Sequence, residues 1–440
     1  MRLHGSWVPS QGRGQSHELQ VEKLVVLGPS DATVCFNAIP FPRSPGCSPN
    51  FPQTFPIQKK YQTPEYLRTL PHLRPRIPFN AALFRLRSEL ISSLTGFFAD
   101  RAFTQIHTPI LTSSDCEGAG EVFHITPSKD DSSSDSETHA HFFRRPVYTT
   151  VSAQLHLEAM SLAVGDVWTL SPTFRAERSD TPRHLSEFYM LEAEVGFVDH
   201  LGPIMDLVED MLRHVSTKLI ETRTVQELMS RDRESSTDLT PADVVASRWE
   251  GLKRMRWPRI TYTEAIRLLE NSGVRFVHRP TWGEDLHTEH EKYIASTVGE
   301  GHSPVFVTEY PRNIKAFYMK PSADAPDGPG PGATVECFDL LVPEFCEIAG
   351  GSMREHRLDP LIESMRARGL NPYSTVGAEA TAGSQETGNN LDWYLDLRKW
   401  GCPPHGGFGL GFDRLLCYLS GVQTIRDVTA FPRWYGRCDC

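Results

Sequence analysis

The chain has 440 residues, room for two or three domains on length alone, and its 39% hydrophobic and 23% charged residues make an ordinary globular composition, not a disordered one. A formal net charge of −10 excludes a protein held on nucleic acid mainly by bulk charge, although it leaves a local basic site open. No run approaches the roughly 18 apolar residues of a membrane helix, and nine scattered cysteines without a CxxC pair or zinc-like spacing argue for a reducing compartment and no structural metal.

The first elements expected are two strands, GSWV and HELQVEKLVVLG, joined by the turn PSQGRGQ into a hairpin. The leading residues MRLHGSWVPSQGRGQ contain neither an apolar signal core nor an Arg-rich amphipathic presequence. The proline-rich stretch 36–56 reads as a linker. After it, Lys59, Lys60, Arg68, Arg74 and Arg76 concentrate positive charge, either as a solvated face or as a local nucleic-acid contact. From Asn80, a plausible N-cap, the stripe Leu83, Leu86, Leu90, Leu94 and Phe97 predicts a helix ending near Asp100. FTQIHTPILT follows, with Pro109 inside a β-branched run, which suits an edge strand.

Residues 128–139 form an acidic low-complexity insertion, and 321–334 and 376–390 are Gly-, Pro- or Ser-containing insertions of the same surface kind. Between them PVFVTEY, AFYMK, TVECFDLLV and GFGLGF are strand-like, while GPIMDLVEDMLRHVSTKLIETR and TEAIRLLE are helical. With no regular βαβ alternation, the fold class expected is α+β with an antiparallel sheet.

Two segments carry chemistry. In LSPTFRAERSDTPRHLSEFYMLEAEVGF, 170–197, two strands flank a charged loop; period two puts Arg175 with Glu177 on one face and Glu192 with Glu194 on another. A buried arginine there demands an anion, either a neighbouring glutamate or a ligand phosphate or carboxylate. In PHGGFGLGFDRLLCYLSG the glycines resemble a nucleotide loop only weakly and fit close-approach positions in a strand better; that strand runs into a helix ending at Gly421, with Arg414 at the junction. A guanidinium there can stack on a base or pair with phosphate. His405 in this segment reads as structural.

FRAER…RHLSEF resembles motif 2 of the class II aminoacyl-tRNA synthetases, GFGLGFDR resembles motif 3, and the segment ending in HTPILT resembles motif 1. Together with SDCEGAGEVF, SAQLHLE and EIAGGSMREHR they resemble the asparaginyl-tRNA synthetase subgroup in its organellar and bacterial form. The alternatives are an aspartyl-tRNA synthetase and a tRNA-independent asparagine synthetase of the adenylating kind. Aspartate enzymes carry a lysine for the substrate carboxylate where this chain has Leu157.

The resemblance implies a catalytic domain over 79–440, a hinge over 41–78, and within 1–40 the last strands of an N-terminally truncated OB-fold anticodon module. It implies ATP, Mg²⁺, L-asparagine and tRNA(Asn) as ligands, a homodimer through the motif 1 helix and strand, no membrane, and a mitochondrial site of action with the cytoplasm as alternative. Arg175 would bridge the amino-acid carboxylate and the α-phosphate. Glu177 and His184 would bind the adenine side and outer phosphates, and Phe188 and Arg414 would sandwich adenine. Asp339 and Glu347 would hold Mg²⁺. Ser152 and Gln154 would hold the α-amino end, Glu117 would close over it from a mobile loop, and Arg354 and Glu158 would read the side-chain amide, unless Glu158 is instead salt-bridged on its own helix.

Overall fold

The computed structural model describes residues 1–12, 15–28, 56–57, 62–113, 121–126, 142–143, 145–230, 239–323, 332–372 and 391–440. It divides the chain into two units, Met1–Thr63 and Pro64–Cys440. The smaller unit carries the expected hairpin, strands β1 (Arg2–Pro9) and β2 (His17–Val25), with a bulge between His4 and Gly5. A side chain on Gly5 would strike the Gln20 carbonyl, which explains the glycine there.

The larger unit starts earlier than the sequence suggests. Residues 64–78, expected as hinge, form the helix Pro64–Arg68 and a 3₁₀ turn Arg74–Arg76. Arg68 pairs with Asp427 at 2.8 Å, and buried Arg74 donates to the Arg426 carbonyl at 3.1 Å. These two arginines are thus structural anchors, neither a solvated face nor a nucleic-acid contact; Lys59 and Lys60 lie outside the described residues. The next helix runs Pro78–Ala99 and is capped by Ile77, with Pro78 in its first turn, a position that spares the missing N–H. Asn80 is therefore not the cap; its side chain donates to the Arg74 carbonyl at 3.0 Å. The predicted stripe from Leu83 to Phe97 is buried throughout.

Ten more strands follow: β3 (Thr104–Gln105), β4 (Leu111–Thr112), β5 (Tyr148–Thr149), β6 (Val167–Phe174), β7 (Glu187–Gly196), β8 (Arg259–Thr261), β9 (Val305–Thr308), β10 (Cys337–Val342), β11 (Cys346–Met353) and β12 (His405–Gly411). Eight of them make one sheet in the order β3-β6-β7-β12-β11-β10-β9-β8. The six central strands are antiparallel, as expected, whereas the edge pairs β3–β6 and β8–β9 are parallel. Pro109 splits the FTQIHTPILT run, leaving β3 on the sheet edge and β4 paired with β5. AFYMK is not a strand: it turns, and only Met319 bridges to Arg354.

Period two then decides what faces what. Leu191 and Ala193 of β7, Phe408 and Leu410 of β12 and Phe338 and Leu340 of β10 enter one core with the helices Pro78–Ala99, Gly202–Leu219, Ala242–Lys253 and Phe412–Ser420. Their neighbours Glu192, Glu194, Gly407, Gly409 and Asp339 turn to the other side.

Candidate active site

On that other face lies a cavity of about 210 Å³, floored by β7, β12, β11 and β10 and adjoined by a second of about 130 Å³. Arg175, Met190, Glu347 and Gly409 line both. Glycines keep the floor low. A Cβ on Gly407 would stand 2.2 Å from the Ala193 carbonyl oxygen and from Glu194, so no other residue fits there.

The first cavity gathers Ser152, Gln154, Arg175, Asp339, Glu347 and Arg354 from the expected set, and Leu157 presents an uncharged wall. The second gathers Arg175, Glu177, His184, Phe188, Glu347 and Arg414. Glu117 lies outside the described residues. β6 ends at Phe174, so Arg175 and Glu177 stand in the loop beyond it and not on a strand face. They approach at 3.6 Å, and the Arg175 guanidinium lies 5.7 Å from the centre of the Phe188 ring. Glu177 also faces His184 at 3.4 Å; burial pulls the imidazole pKa below its ordinary value despite this carboxylate.

Arg414 sits in the first turn of the helix Phe412–Ser420 and donates to the Glu347 carbonyl at 2.9 Å. Its neighbour Asp413, almost fully buried, accepts from the Tyr189 amide at 2.9 Å and from Arg87 of the Pro78–Ala99 helix at 2.5 Å. One carboxylate thereby locks the Pro78–Ala99 helix, β7 and the Phe412–Ser420 helix together.

The expected role of Glu158 is corrected. It is fully buried behind the cavity: Arg398 donates to it at 2.6 Å, Tyr394 at 2.8 Å, His405 lies at 3.1 Å, and the Gln154 amide donates to it at 3.0 Å. Its oxygens have no capacity left for a substrate amide. Burial works against its charge, but Arg398 and His405 hold the carboxyl below the usual carboxylate range. His405 is correspondingly pushed up to about 10: burial opposes its protonation, and hydrogen bonding by Cys402 and Glu158 outweighs that. His405 is structural, as expected. Glu158, Glu194 and His405 have the spacing of a metal site. The guanidinium groups of Arg398 and Arg354 already supply the positive charge there, so the cluster is an ion-pair hub.

Besides Asp339 and Glu347, the cavity is lined by Glu192 and Glu194, which the sequence marks only as charges within a strand. Glu192 accepts from the Ala153 amide at 2.9 Å and from the Ser152 hydroxyl. Glu194 takes a two-pronged bond from Arg354 at 3.1 and 3.0 Å, and Ser352 accepts from the same guanidinium at 2.5 Å. Burial pushes Glu194 up while Arg354 opposes it. Lys315 was also missed: it reaches Asp339 at 2.7 Å, and although burial disfavours its ammonium, Asp339 raises it above the ordinary lysine value. Nothing in PRNIKAFYMK marks it out by spacing.

This sheet, with an arginine shared by two cavities and another at a strand-to-helix junction, has the architecture of a class II aminoacyl-tRNA synthetase catalytic domain. The family model described as tRNA synthetases class II (D, K and N) matches residues 64–435. The mitochondrial asparagine–tRNA ligase of Saccharomyces cerevisiae is 41% identical over 98% of this chain and 80% of its own, and the asparagine–tRNA ligase of Nostoc is 40% identical over 98% and 83%. Among solved structures, asparaginyl-tRNA synthetase from Pyrococcus horikoshii complexed with asparaginyl-adenylate superposes with a TM-score of 0.73 at 29% identity, covering 96% of this chain and 80% of that one. The Entamoeba histolytica asparaginyl-tRNA synthetase gives 0.74 at 26%, covering 99% and 84%. The chain belongs to the class II aminoacyl-tRNA synthetases, in their asparagine–tRNA ligase family. It is a ligase.

Proposed function

We propose that this ligase activates L-asparagine with ATP to asparaginyl-adenylate and transfers the aminoacyl group to the 3′ end of tRNA(Asn). The observation that carries this is the pair of adjoining cavities sharing Arg175: one closed by the Arg354–Glu194 pair, the other flanked by Phe188 and Arg414. Asparagine's carboxylate is already a nucleophile, so the protein's work is positioning and charge neutralisation. Arg175, at the junction, neutralises both the attacking carboxylate and the α-phosphate. Phe188 and Arg414 enclose adenine, with Glu177 and His184 toward its edge and the outer phosphates. Ser152 and Gln154 hold the α-amino end.

Selectivity follows from the charge of the first cavity. Arg354 is already matched by Glu194, so the pair offers one donor and one acceptor, which suits an amide bearing both a carbonyl oxygen and an NH₂. Aspartate would bring an unmatched second negative charge against Glu194 and Glu192, with Leu157 supplying no cation.

Asp339 and Glu347 suit Mg²⁺: a Cβ on Gly350 would lie 3.2 Å from one and 3.3 Å from the other, so the two carboxylates converge over bare backbone. Bound there, the ion would neutralise phosphate charge. Dimerisation through motif 1 is supported by exposed Ile91, Ile110 and Leu111. A mitochondrial role is supported by the yeast relative, and no helix among the described residues is long and apolar enough to cross a membrane.

The deciding experiment is ATP–pyrophosphate exchange by the purified protein. Asparagine with Mg²⁺ is expected to support it. Exchange with aspartate alone overturns the reading, and parallel charging of mitochondrial and cytosolic tRNA(Asn) tests the compartment.

A further inference from the structure

The turn joining β10 to β11 is held against its own backbone preference. Among the described residues eight non-glycine residues have positive φ, and only here do two stand within three positions: Glu344 at 68° and Cys346 at 62°. Side chains with a Cβ resist this left-handed region, and such geometry persists only where surrounding contacts over-determine it. Phe345, between the two, is buried in the main core. Arg248, on the helix Ala242–Lys253 and only 2% exposed, lies 5.2 Å from the centres of both the Phe345 and the Tyr418 rings. It donates to the Tyr418 carbonyl at 3.2 Å and pairs with Glu344. A guanidinium so deeply buried needs an anion, and Glu344 supplies it.

What this turn delivers is Glu347. Leu341 stands opposite Glu347 while Leu340 stands opposite Ala349, so a bulge follows Glu347 directly, and a bulge re-aims the side chains beside it. Glu347 lines both cavities, and Arg414 is bound to its carbonyl at 2.9 Å and faces its carboxylate at 3.7 Å. We propose that Arg248 is a positioning residue for the ATP half of the site: through Glu344 it fixes the left-handed turn that aims Glu347 and, through Glu347, Arg414. This rests on the roles proposed above for those two residues.

Arg248→Met keeps the apolar length and removes the clamp. It is expected to raise KM for ATP in pyrophosphate exchange by roughly three- to tenfold, and to raise the Mg²⁺ concentration for half-maximal rate, while KM for asparagine stays within about twofold. In the double variant Arg248→Met/Glu344→Gly, glycine accepts the positive φ without a clamp, and KM for ATP is expected to return to within roughly twofold of the parent. Should Arg248→Met fail to fold, Glu344→Gln, which removes the anion at constant length, is expected to give the same ATP-selective rise. An unchanged KM for ATP in a folded single variant, an equal rise in both KM values, or a folded double variant without recovery overturns the proposal. Glu347→Gln, measured alongside, separates the two layers: full exchange by that variant overturns the underlying reading, whereas its loss beside an unperturbed Arg248→Met overturns the positioning role alone.

Discussion

Replacing Arg398 by methionine isolates the hub behind the amino-acid cavity. Arg398 has no exposed side-chain surface, and it donates to Glu158 at 2.6 Å. Removing one partner of a buried pair costs about 3–5 kcal/mol because a charge is left behind. Glu158 keeps His405 at 3.1 Å and Tyr394 at 2.8 Å, so the lower end, about 3 kcal/mol, applies. For a unit of about 380 residues, an unfolding entropy near 2.1 cal/mol/K per residue gives about 0.8 kcal/mol per degree, and hence a midpoint lower by about 4 °C. Scan-rate-matched thermal unfolding reads this. Because Gln154 is oriented by Glu158, exchange should also show a rise of roughly three- to tenfold in KM for asparagine, with KM for ATP little changed. Adding Glu158→Gln removes the stranded charge, and the double variant should recover at least half of the lost midpoint. A shift under 1 °C, or a double variant less stable than the single one, would refute the reading of Glu158 as a charge held by its partners.

Three further outcomes are expected. Glu194→Gln unbalances Arg354, so KM for asparagine should rise about tenfold and the margin over aspartate should shrink; an unchanged ratio of the two exchange rates counts against the donor–acceptor pair. Phe188→Ala removes a stacking face worth about 1–1.5 kcal/mol, which should raise KM for ATP roughly tenfold and leave asparagine alone. His405, with its folded-state pKa raised to about 10, contributes stability that is complete below the ordinary histidine value and lost as pH rises through about 10. The gap in thermal midpoint between the parent and His405→Gln should therefore be widest in acid to neutral solution and close above pH 10; a gap that widens with pH would show the sign to be wrong.

The sequence was readable where function is written in short local patterns. Arg175, Phe188, Arg354 and Arg414 stand in runs whose alternation and glycines constrain the backbone within a few residues, and each of them lines the cavities. It was unreadable where the deciding partner is remote. A glutamate on a helix looks the same whether it faces a ligand or an arginine 240 positions away, and Glu158 meets Arg398 across that separation. Lys315 follows no period because it stands in the bend that directly follows a 3₁₀ turn, and only the fold brings it to Asp339. Asn80 reads as a cap by its chemistry, yet Pro78 and the anchoring of Arg74 start the helix three residues sooner, with Ile77 as the cap. Glu192 and Glu194 were visible as charges out of place in a strand; assigning them needed the neighbouring strand that carries Arg354.

The junction at Asp413 has a kinetic consequence. Its partners Tyr189 and Arg87 lie 224 and 326 positions away, so the loops closed by these bonds are among the longest the chain can make. Such contacts return free energy only after most of the closure entropy has been spent, which slows folding. During synthesis the sheet has no β12 and the core lacks Leu415, Leu416 and Leu419 until the last tenth of the sequence emerges. Until then the strands on either side of that gap, β7 and β11, expose unpaired edges, so refolding yield should depend on protein concentration and improve with a chaperone that shields strand edges.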